Sequence, residues 1–158
     1  MKKAMRSLLW AAFGIYCFAL FVLLFLDGRV PSDGSVGFYF AQSNLIPFRS
    51  VYDYVQRLME DRINIEIVIR NITGNLILLL PMGCFLPCLS KHFRRYWRTL
   101  AVCFGVICMV ELLQPLLRIG FFDIDDLIFN LAGASLGFLI VQIPFVNHIL
   151  KKLYLYTE

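Results

Sequence analysis

Charged side chains are scarce in this chain. Asp, Glu, Lys and Arg make up 16% of its 158 residues, whereas hydrophobic residues make up 59%. Soluble globular domains contain about 25% charged and about 45–50% apolar residues. The shortage of charge therefore excludes an ordinary soluble domain, since a chain of this length has too little interior to hide so much apolar surface.

Signatures of common catalytic and nucleic-acid-binding sites are also absent. The sequence has no glycine-rich phosphate loop, no zinc-ligand spacing and no internal repeat, and nothing in it identifies a cofactor. Its net charge of +4 is spread over short segments, so we expect no nucleic acid partner. Cys84 and Cys88 share a helix face, but no histidine or acid accompanies them. We interpret them as small apolar residues and predict no metal site.

Long apolar runs are what the sequence has instead. Four runs have the length of about 20 residues that a helix needs to cross a hydrocarbon core of about 30 Å. They are Leu8–Leu26, Ile72–Leu89, Thr99–Leu117 and Leu127–Val146. None alternates as a barrel strand does, so we predict one all-α membrane domain with four transmembrane helices. The first run is longer than a signal-peptide core and lacks a small-residue cleavage site, so we predict an uncleaved anchor.

Basic residues are distributed unevenly around these runs. Residues 2–6, 90–98 and 151–152 are basic, whereas the connections 27–71 and 118–126 are balanced or acidic. Cytoplasmic segments of membrane proteins are enriched in Lys and Arg. We therefore predict a multi-pass protein of the cell membrane with both termini in the cytoplasm and the two other connections outside.

The 27–71 connection contains a predicted short amphipathic helix. Apolar side chains recur with helical spacing from Val51 to Ile63, and Ser50 has the position of an N-cap. The opposite face is charged. The pattern leaves three placements open, because such a helix lies on the outer membrane surface, docks on the helix bundle or is solvated.

Polar side chains inside the runs fall in a single layer. Glu111 lies about 9 Å below the end of the third run, at about 1.5 Å per residue. Asn75 and Asn130 lie three residues inside the second and fourth runs. With the predicted orientation, all three lie in the outer third of the bilayer, and the inner halves are apolar apart from Gln142. Such residues are costly in a membrane and mark interior contacts or functional sites.

Two interpretations of this layer remain open. Polar side chains join helices by hydrogen bonds worth about 0.6 kcal/mol each, and Arg118 is placed to neutralise Glu111 or Asp123. One arginine cannot pair with every nearby carboxylate, however, so we favour an outward-facing pocket that holds water, a cation or a basic ligand group. We expect residues 44–48 to fold back over it. The predicted binding residues are Asn44, Arg49, Asn75, Glu111, Gln114, Arg118, Asp123, Asp125, Asp126 and Asn130.

Glycine and proline within the runs predict how the helices pack. Gly133 and Gly137 form a G-x-x-x-G pair, which permits close helix approach. Pro81 and Pro115 are expected to kink their helices.

Ordered motifs extend from about residue 44 to 140. The first set is Asn44-Leu45-Ile46-Pro47-Phe48, Asn71-x-x-Gly74-Asn75, Pro81-x-Gly83 and Pro87; the second is Glu111-x-x-Gln114, Arg118, Asp123-x-Asp125-Asp126, Asn130, Gly133 and Gly137. This order resembles the VanZ-like family of small bacterial membrane proteins, named for a protein associated with low-level teicoplanin resistance. The resemblance implies four spans but supplies no molecular mechanism. It also implies functional roles for eight of the predicted binding residues, which are Asn75, Glu111, Gln114, Arg118, Asp123, Asp125, Asp126 and Asn130.

The residues and the resemblance leave two classes of function. One is a non-catalytic envelope protein that binds membrane lipids, a lipid-linked headgroup such as a cell-wall precursor, or a lipophilic glycopeptide, and contributes to teicoplanin resistance. The other is an enzyme acting on an outer-leaflet lipid, with Glu111 as general base or paired carboxylates holding a divalent cation. We favour the first, because the chain lacks a convincing nucleophile and His92 and His148 lie on the predicted cytoplasmic side.

Overall fold

The computed structural model describes residues 2–26, 31, 33–153 and 155–156. All named secondary-structure elements in these residues are helices. The α-helices are α1 Lys2–Phe21, α2 Val36–Ala41, α3 Arg49–Met59, α4 Ile65–Leu78, α5 Leu80–Leu89, α6 Tyr96–Leu116, α7 Ile124–Gln142 and α8 Pro144–Lys152. A π-helical turn, Val22–Leu26, extends α1, and a 3₁₀ turn, Lys91–Arg94, precedes α6. Ser32, in the predicted first outer loop, lies outside the described residues.

Four stretches of the described chain are long and apolar enough to cross a membrane. They are Lys2–Leu26, Ile65–Leu89, Tyr96–Leu116 and Ile124–Gln142, which confirms the prediction of four such helices. The predicted end of the fourth run at Val146 is wrong, because α7 stops at Gln142 and α8 starts at Pro144. Ile143, the residue before the proline, is extended with ψ 127°, as contact with the proline ring requires.

Pro81 interrupts the second span. α4 ends at Leu78, and the proline lies in the first turn of α5. A proline has no N–H for the helical bond to the carbonyl four residues earlier. The hydroxyl of Tyr16 on α1 donates to the Leu78 carbonyl at 2.7 Å beside this break. The predicted disruption at Pro81 is confirmed, and a side chain of another helix satisfies a backbone group there.

The backbone of α7 lies in close contact with the backbones of α4 and α5. A Cβ built on Gly133 would lie 1.8 Å from a carbonyl oxygen of α4, and one on Gly137 would lie 2.0 Å from a carbonyl oxygen of α5. A Cβ on Gly83 of α5 would lie 2.0 Å from a carbonyl of α7. Because no side chain fits at these contacts, the predicted close approach through the glycine pair is confirmed.

α3 begins at Arg49, two residues earlier than a helix with Ser50 as its N-cap would begin. Its N-cap is Phe48, in the left-handed conformation with φ 64°, and the predicted cap by Ser50 is wrong. The Ser50 hydroxyl donates to Asp123 instead. No residue of α3 is buried, and Met59 is 77% exposed. The helix therefore docks on the start of α7 without entering the core.

The two ends of the bundle differ in charge. At one end the Arg6 guanidinium donates to the Leu89 carbonyl at 3.3 Å, and the Arg94 guanidinium lies 4.0 Å from the centre of the Tyr156 ring. The N-terminus, the 90–98 connection and the C-terminal segment therefore meet there, and we call this the basic end. The opposite end carries α2, α3 and the start of α7, and we call it the α3 end.

Candidate functional site

The segment before α3 pairs with the segment before α7. The backbone N–H of Asn44 donates to the Phe122 carbonyl at 2.8 Å, and the N–H of Ile124 donates to the Asn44 carbonyl at 3.0 Å. The Asn44 side chain also donates to the Asp123 carboxylate at 2.9 Å. The predicted fold-back of residues 44–48 is confirmed, because Asn44 lies against the acidic loop, residues 123–126.

Two aspartates at the start of α7 receive hydrogen bonds from within the chain. Asp123 accepts from the Asn44 amide and the Ser50 hydroxyl. It also accepts from the backbone N–H of Asp125, which caps α7. Asp125 is 1% exposed and accepts from the backbone N–H groups of Phe48 and Ser50. Asp125 thus caps α3 from another helix, and neither carboxylate requires an external cation for its stability.

A second polar cluster joins α4 to α7. The Asn75 amide donates to the Asp126 carboxylate. The Asn130 amide donates to the Asn75 side-chain oxygen at 3.2 Å and to the Asp126 backbone carbonyl at 2.8 Å. Asn130 is buried, and its Oδ1 has no hydrogen-bond partner among the described residues. Three of the predicted binding residues therefore meet, and the contacts between them also join helices.

Glu111 and Gln114 lie beneath the loop that precedes α7. Glu111 is 3% exposed, and its Oε2 accepts from the Asp123 backbone N–H at 2.9 Å. Gln114 is also buried and donates to the Leu24 carbonyl in the π-helical turn of α1 at 3.4 Å. The polar residues expected from depth therefore lie together at the α3 end, in separate groups of hydrogen bonds that involve α1, α4, α6 and α7.

Arg118 lies just beyond the end of α6. α6 continues through Pro115 and ends at Leu116, two residues before Arg118. Arg118 has φ 59°. The N–H groups of Arg118 and Ile119 bond the Pro115 and Gln114 carbonyls at 3.2 and 3.0 Å, which is a Schellman cap, where glycine usually occupies this position. The exposed side chain forms no ion pair with any described residue.

A polar cavity of about 480 Å³ lies between α3 and the loop before α7. Arg49 and Arg57 line it and are exposed, and neither forms an ion pair within the described part of the chain. Three carboxylates, Asp53, Asp123 and Asp126, line the same space. The cavity therefore presents charge of both signs, with its two guanidinium groups open to a further partner.

Half of the ten predicted binding residues line this polar cavity. They are Asn44, Arg49, Gln114, Asp123 and Asp126. Asn75 lines a smaller neighbouring cavity together with Asp126. Glu111, Arg118, Asp125 and Asn130 line neither cavity. Among the residues that the structure describes, no three histidine, cysteine, aspartate or glutamate side chains are grouped to hold a metal ion.

Four residues of α3 near the cavity were not predicted. Ser50, Asp53 and Arg57 line it, and Tyr54 lies close to the acidic loop. Burial raises the pKa of the Tyr54 hydroxyl, and the Asp126 and Asp123 carboxylates raise it further. The phenol therefore keeps its proton at neutral pH and is able to donate a hydrogen bond. The charged face of α3 was visible in the sequence, but only its docking on α7 shows which of its side chains face the cavity.

A known protein family matches the part of the chain that contains these polar clusters. The model of the VanZ/LLP1 family matches residues 13–146. No curated protein and no solved structure gives a significant match. The matched region includes all the polar residues of the α3 end and most of the first membrane-spanning helix. The chain therefore belongs to the VanZ/LLP1 family.

Proposed function

We propose that this chain is a cell-envelope protein whose polar cavity faces outward. In this proposal the cavity binds the head of a lipid-linked cell-wall precursor or a lipophilic glycopeptide. Through that binding the protein contributes to teicoplanin resistance. The observation that carries the proposal is the pair of arginines, Arg49 and Arg57, that line the cavity without an ion pair. Guanidinium groups bind phosphate and carboxylate oxygens with two parallel hydrogen bonds.

The remaining lining residues fit a head that carries more than one kind of polar group. The cavity volume of about 480 Å³ lies within the range of about 300–1,000 Å³ for small-molecule sites. Asp53 and Asp126 supply acceptors for amino and hydroxyl groups of such a ligand. A headgroup with both acidic oxygens and amine or hydroxyl donors therefore matches the cavity better than a simple ion.

The charge of the two ends supports an outward-facing cavity. The basic end gathers the Lys- and Arg-rich segments, and such segments stay in the cytoplasm. With that orientation the α3 end faces outward and both termini lie inside. On α3, Tyr52, Val55 and Met59 are 62%, 46% and 77% exposed, which suits a helix in the headgroup layer of the outer leaflet.

An enzyme that modifies an outer-leaflet lipid is the alternative, and we favour binding over it. A general base must reach the proton that it removes from the substrate. Glu111 accepts the Asp123 N–H and does not line the polar cavity. Carboxylate–metal chemistry would need a grouping of ligands that the described residues do not form.

The test is a double variant, Arg49→Gln with Arg57→Gln, measured by the teicoplanin susceptibility of cells that express it. We expect susceptibility to rise to that of cells without the protein, because the cavity loses both guanidinium groups. Arg62→Gln is the matched control, since Arg62 pairs with Glu60 at 3.0 Å and does not line the cavity. Full resistance from a normally expressed and folded double variant would overturn the proposal.

A further inference from the structure

A groove of about 530 Å³ between α1 and α4 is distinct from the polar cavity. Leu20 of α1 and Leu23 and Leu24 of the π-helical turn form one wall, and Ile77 and Leu78 of α4 form the other. Arg70, Gly74 and Asn75 line its polar end. The groove therefore combines a long apolar wall with a cationic rim.

The contacts of α1 explain why the groove is open. The rings of Phe13 and Tyr16 lie 5.6 and 5.7 Å from the Phe85 ring of α5, so α1 packs against the second span below the Pro81 break. The Tyr16 hydroxyl on the Leu78 carbonyl marks the deep end of the groove.

The length of the groove corresponds to one leaflet. From Leu78 to Arg70, α4 rises about 12 Å at about 1.5 Å per residue. One half of a hydrocarbon core of about 30 Å is about 15 Å thick. An acyl chain of the leaflet that surrounds the α3 end therefore matches the groove in length.

Arg70 provides the partner for a lipid head. It is exposed and makes no hydrogen bond or ion pair with the described residues. Arg70, Gly74 and Asn75 also line the smaller neighbouring cavity, which Asp126 closes on the other side. A guanidinium at the polar end of an apolar groove has the chemistry that recognises a phosphate ester attached to a hydrocarbon chain.

Gly74 lies where the groove meets the smaller cavity and has no packing role. A Cβ at Gly74 meets no atom within 4 Å, unlike the three glycines at the contact between α7 and the second span. Glycine inside a helix costs about 0.8–1.0 kcal/mol relative to alanine. A larger side chain at Gly74 would enter space beside the groove and the smaller cavity, both of which this residue lines.

We propose that the α1–α4 groove holds one acyl chain of a membrane phospholipid whose phosphate binds Arg70. The residues involved differ from those of the polar cavity, so this site exists whether or not that cavity binds a lipid-linked head. The experiments on the groove measure lipid binding and not resistance. A failure of this proposal can therefore be distinguished from a failure of the function proposed for the polar cavity.

The first experiment titrates purified, delipidated protein in detergent with dioleoylphosphatidylglycerol or with dioleoylglycerol, and counts bound lipid by native mass spectrometry. We expect one phosphatidylglycerol to bind about tenfold more tightly than dioleoylglycerol, a modest value for one charge-assisted contact. Arg70→Gln should remove that difference, and Arg62→Gln should keep it. Equal affinity of the wild-type protein for both lipids would overturn the assignment of the phosphate to Arg70.

The second experiment blocks the chain. Gly74→Leu fills the groove without a backbone clash and should weaken binding of both lipids about tenfold, the factor that corresponds to 1.4 kcal/mol. Gly105→Leu is the matched control, because Gly105 is also helical and open within 4 Å but does not line the groove. Leu23→Trp fills the groove from the other wall and replaces Gly74→Leu if that variant is poorly folded. Wild-type lipid affinity in a folded groove-filled variant would overturn the proposal.

Discussion

Glu111 shows how a carboxylate is stabilised inside a mainly apolar bundle. It is 3% exposed and accepts the Asp123 backbone N–H at 2.9 Å. A hydrogen bond to a charged group contributes about 1.5–3 kcal/mol, compared with about 0.5–1.5 kcal/mol for a neutral pair. Glu111 therefore positions Asp123, which lines the polar cavity, although it does not line the cavity itself.

We expect Glu111→Gln to fold and insert but to abolish the contribution to teicoplanin resistance that we propose for this chain. Glutamine keeps an oxygen for the Asp123 N–H, so the bond weakens by about 1 kcal/mol. That loss corresponds to a decrease in Tm of about 2–4 °C for a protein of this size. The weaker bond also holds Asp123 less firmly in the polar cavity that it lines, so the arrangement of the lining side chains is disturbed. The measurements are thermal stability in detergent and susceptibility of cells expressing the variant.

The double variant with Arg118→Gln distinguishes positioning from a buried ion pair. Because Arg118 forms no ion pair with a described residue, we expect the two changes in stability to add. If Glu111→Gln restored a fold that Arg118→Gln had destabilised, the two would be a compensating pair. Full resistance from well-expressed Glu111→Gln protein would refute a role of Glu111 in the site.

At the scale of the element, α3 is attached by hydrogen bonds to its first turn. None of its residues is buried, whereas Asp125 of α7 accepts two N–H groups from its start. The carboxylate also lies where the positive end of the helix dipole favours negative charge. The position of α3, and with it that of Arg49 and Arg57, therefore depends on Asp125 together with Asp123, which accepts the Ser50 hydroxyl.

We expect Asp125→Asn to loosen α3 while the four long helices remain folded. The amide offers one oxygen in place of two, and its NH₂ group faces a backbone donor. Loss of a helix cap costs about 0.5–2 kcal/mol, which raises amide exchange in the first turn of α3 by about tenfold where local opening governs exchange. Hydrogen–deuterium exchange of the peptide that covers residues 49–53 measures this effect.

Asp61→Asn is the control for that experiment. Asp61 is exposed beyond the end of α3 and has φ 52°, a conformation that asparagine tolerates well. It makes the same change of carboxylate to amide without touching the first turn. Unchanged exchange in the Asp125→Asn protein would show that apolar contacts, and not this cap, hold α3.

At the scale of the whole molecule, charge and polarity are divided between the two ends of the bundle. The basic end gathers segments that are distant in sequence, as the contacts Arg6 to Leu89 and Arg94 to Tyr156 show. The α3 end holds the buried polar layer and the polar cavity. This division predicts an orientation with the basic end in the cytoplasm, because Lys- and Arg-rich segments are enriched there.

We expect single cysteines at Ser32 and Ile119 to react with an impermeant thiol reagent outside intact cells, and one at Lys91 to be protected. The background has the five native cysteines replaced. Lys91 lies at the basic end, and Ile119 follows α6 at the α3 end. Permeabilised cells provide the control, since position 91 should then react. Labelling of position 91 in intact cells would refute the orientation.

Composition and pattern alone determined the class of the protein and its four spans. The apolar runs have the length and composition of membrane-spanning helices. The glycine pair and Pro81 were informative because close helix approach and a helix break each depend on one or two residues. The polar layer was also predictable, because the cost of burying Glu111, Asn75 and Asn130 singles them out against an apolar background. The ends of the helices were predicted less well, because Pro144 separates α7 from α8 before the predicted end at Val146.

The tertiary structure decided what each polar side chain contacts. Asp125 looked like a spare carboxylate in the sequence, but the backbone N–H groups that it accepts belong to a helix 75 residues away. Arg118 looked like part of the site, but it is the left-handed residue of the Schellman cap that ends α6. Such contacts depend on how separate helices dock, and neither spacing nor composition along one segment contains that information. The placement of Arg49, Tyr54 and Arg57 beside the acidic loop was decided by the same docking.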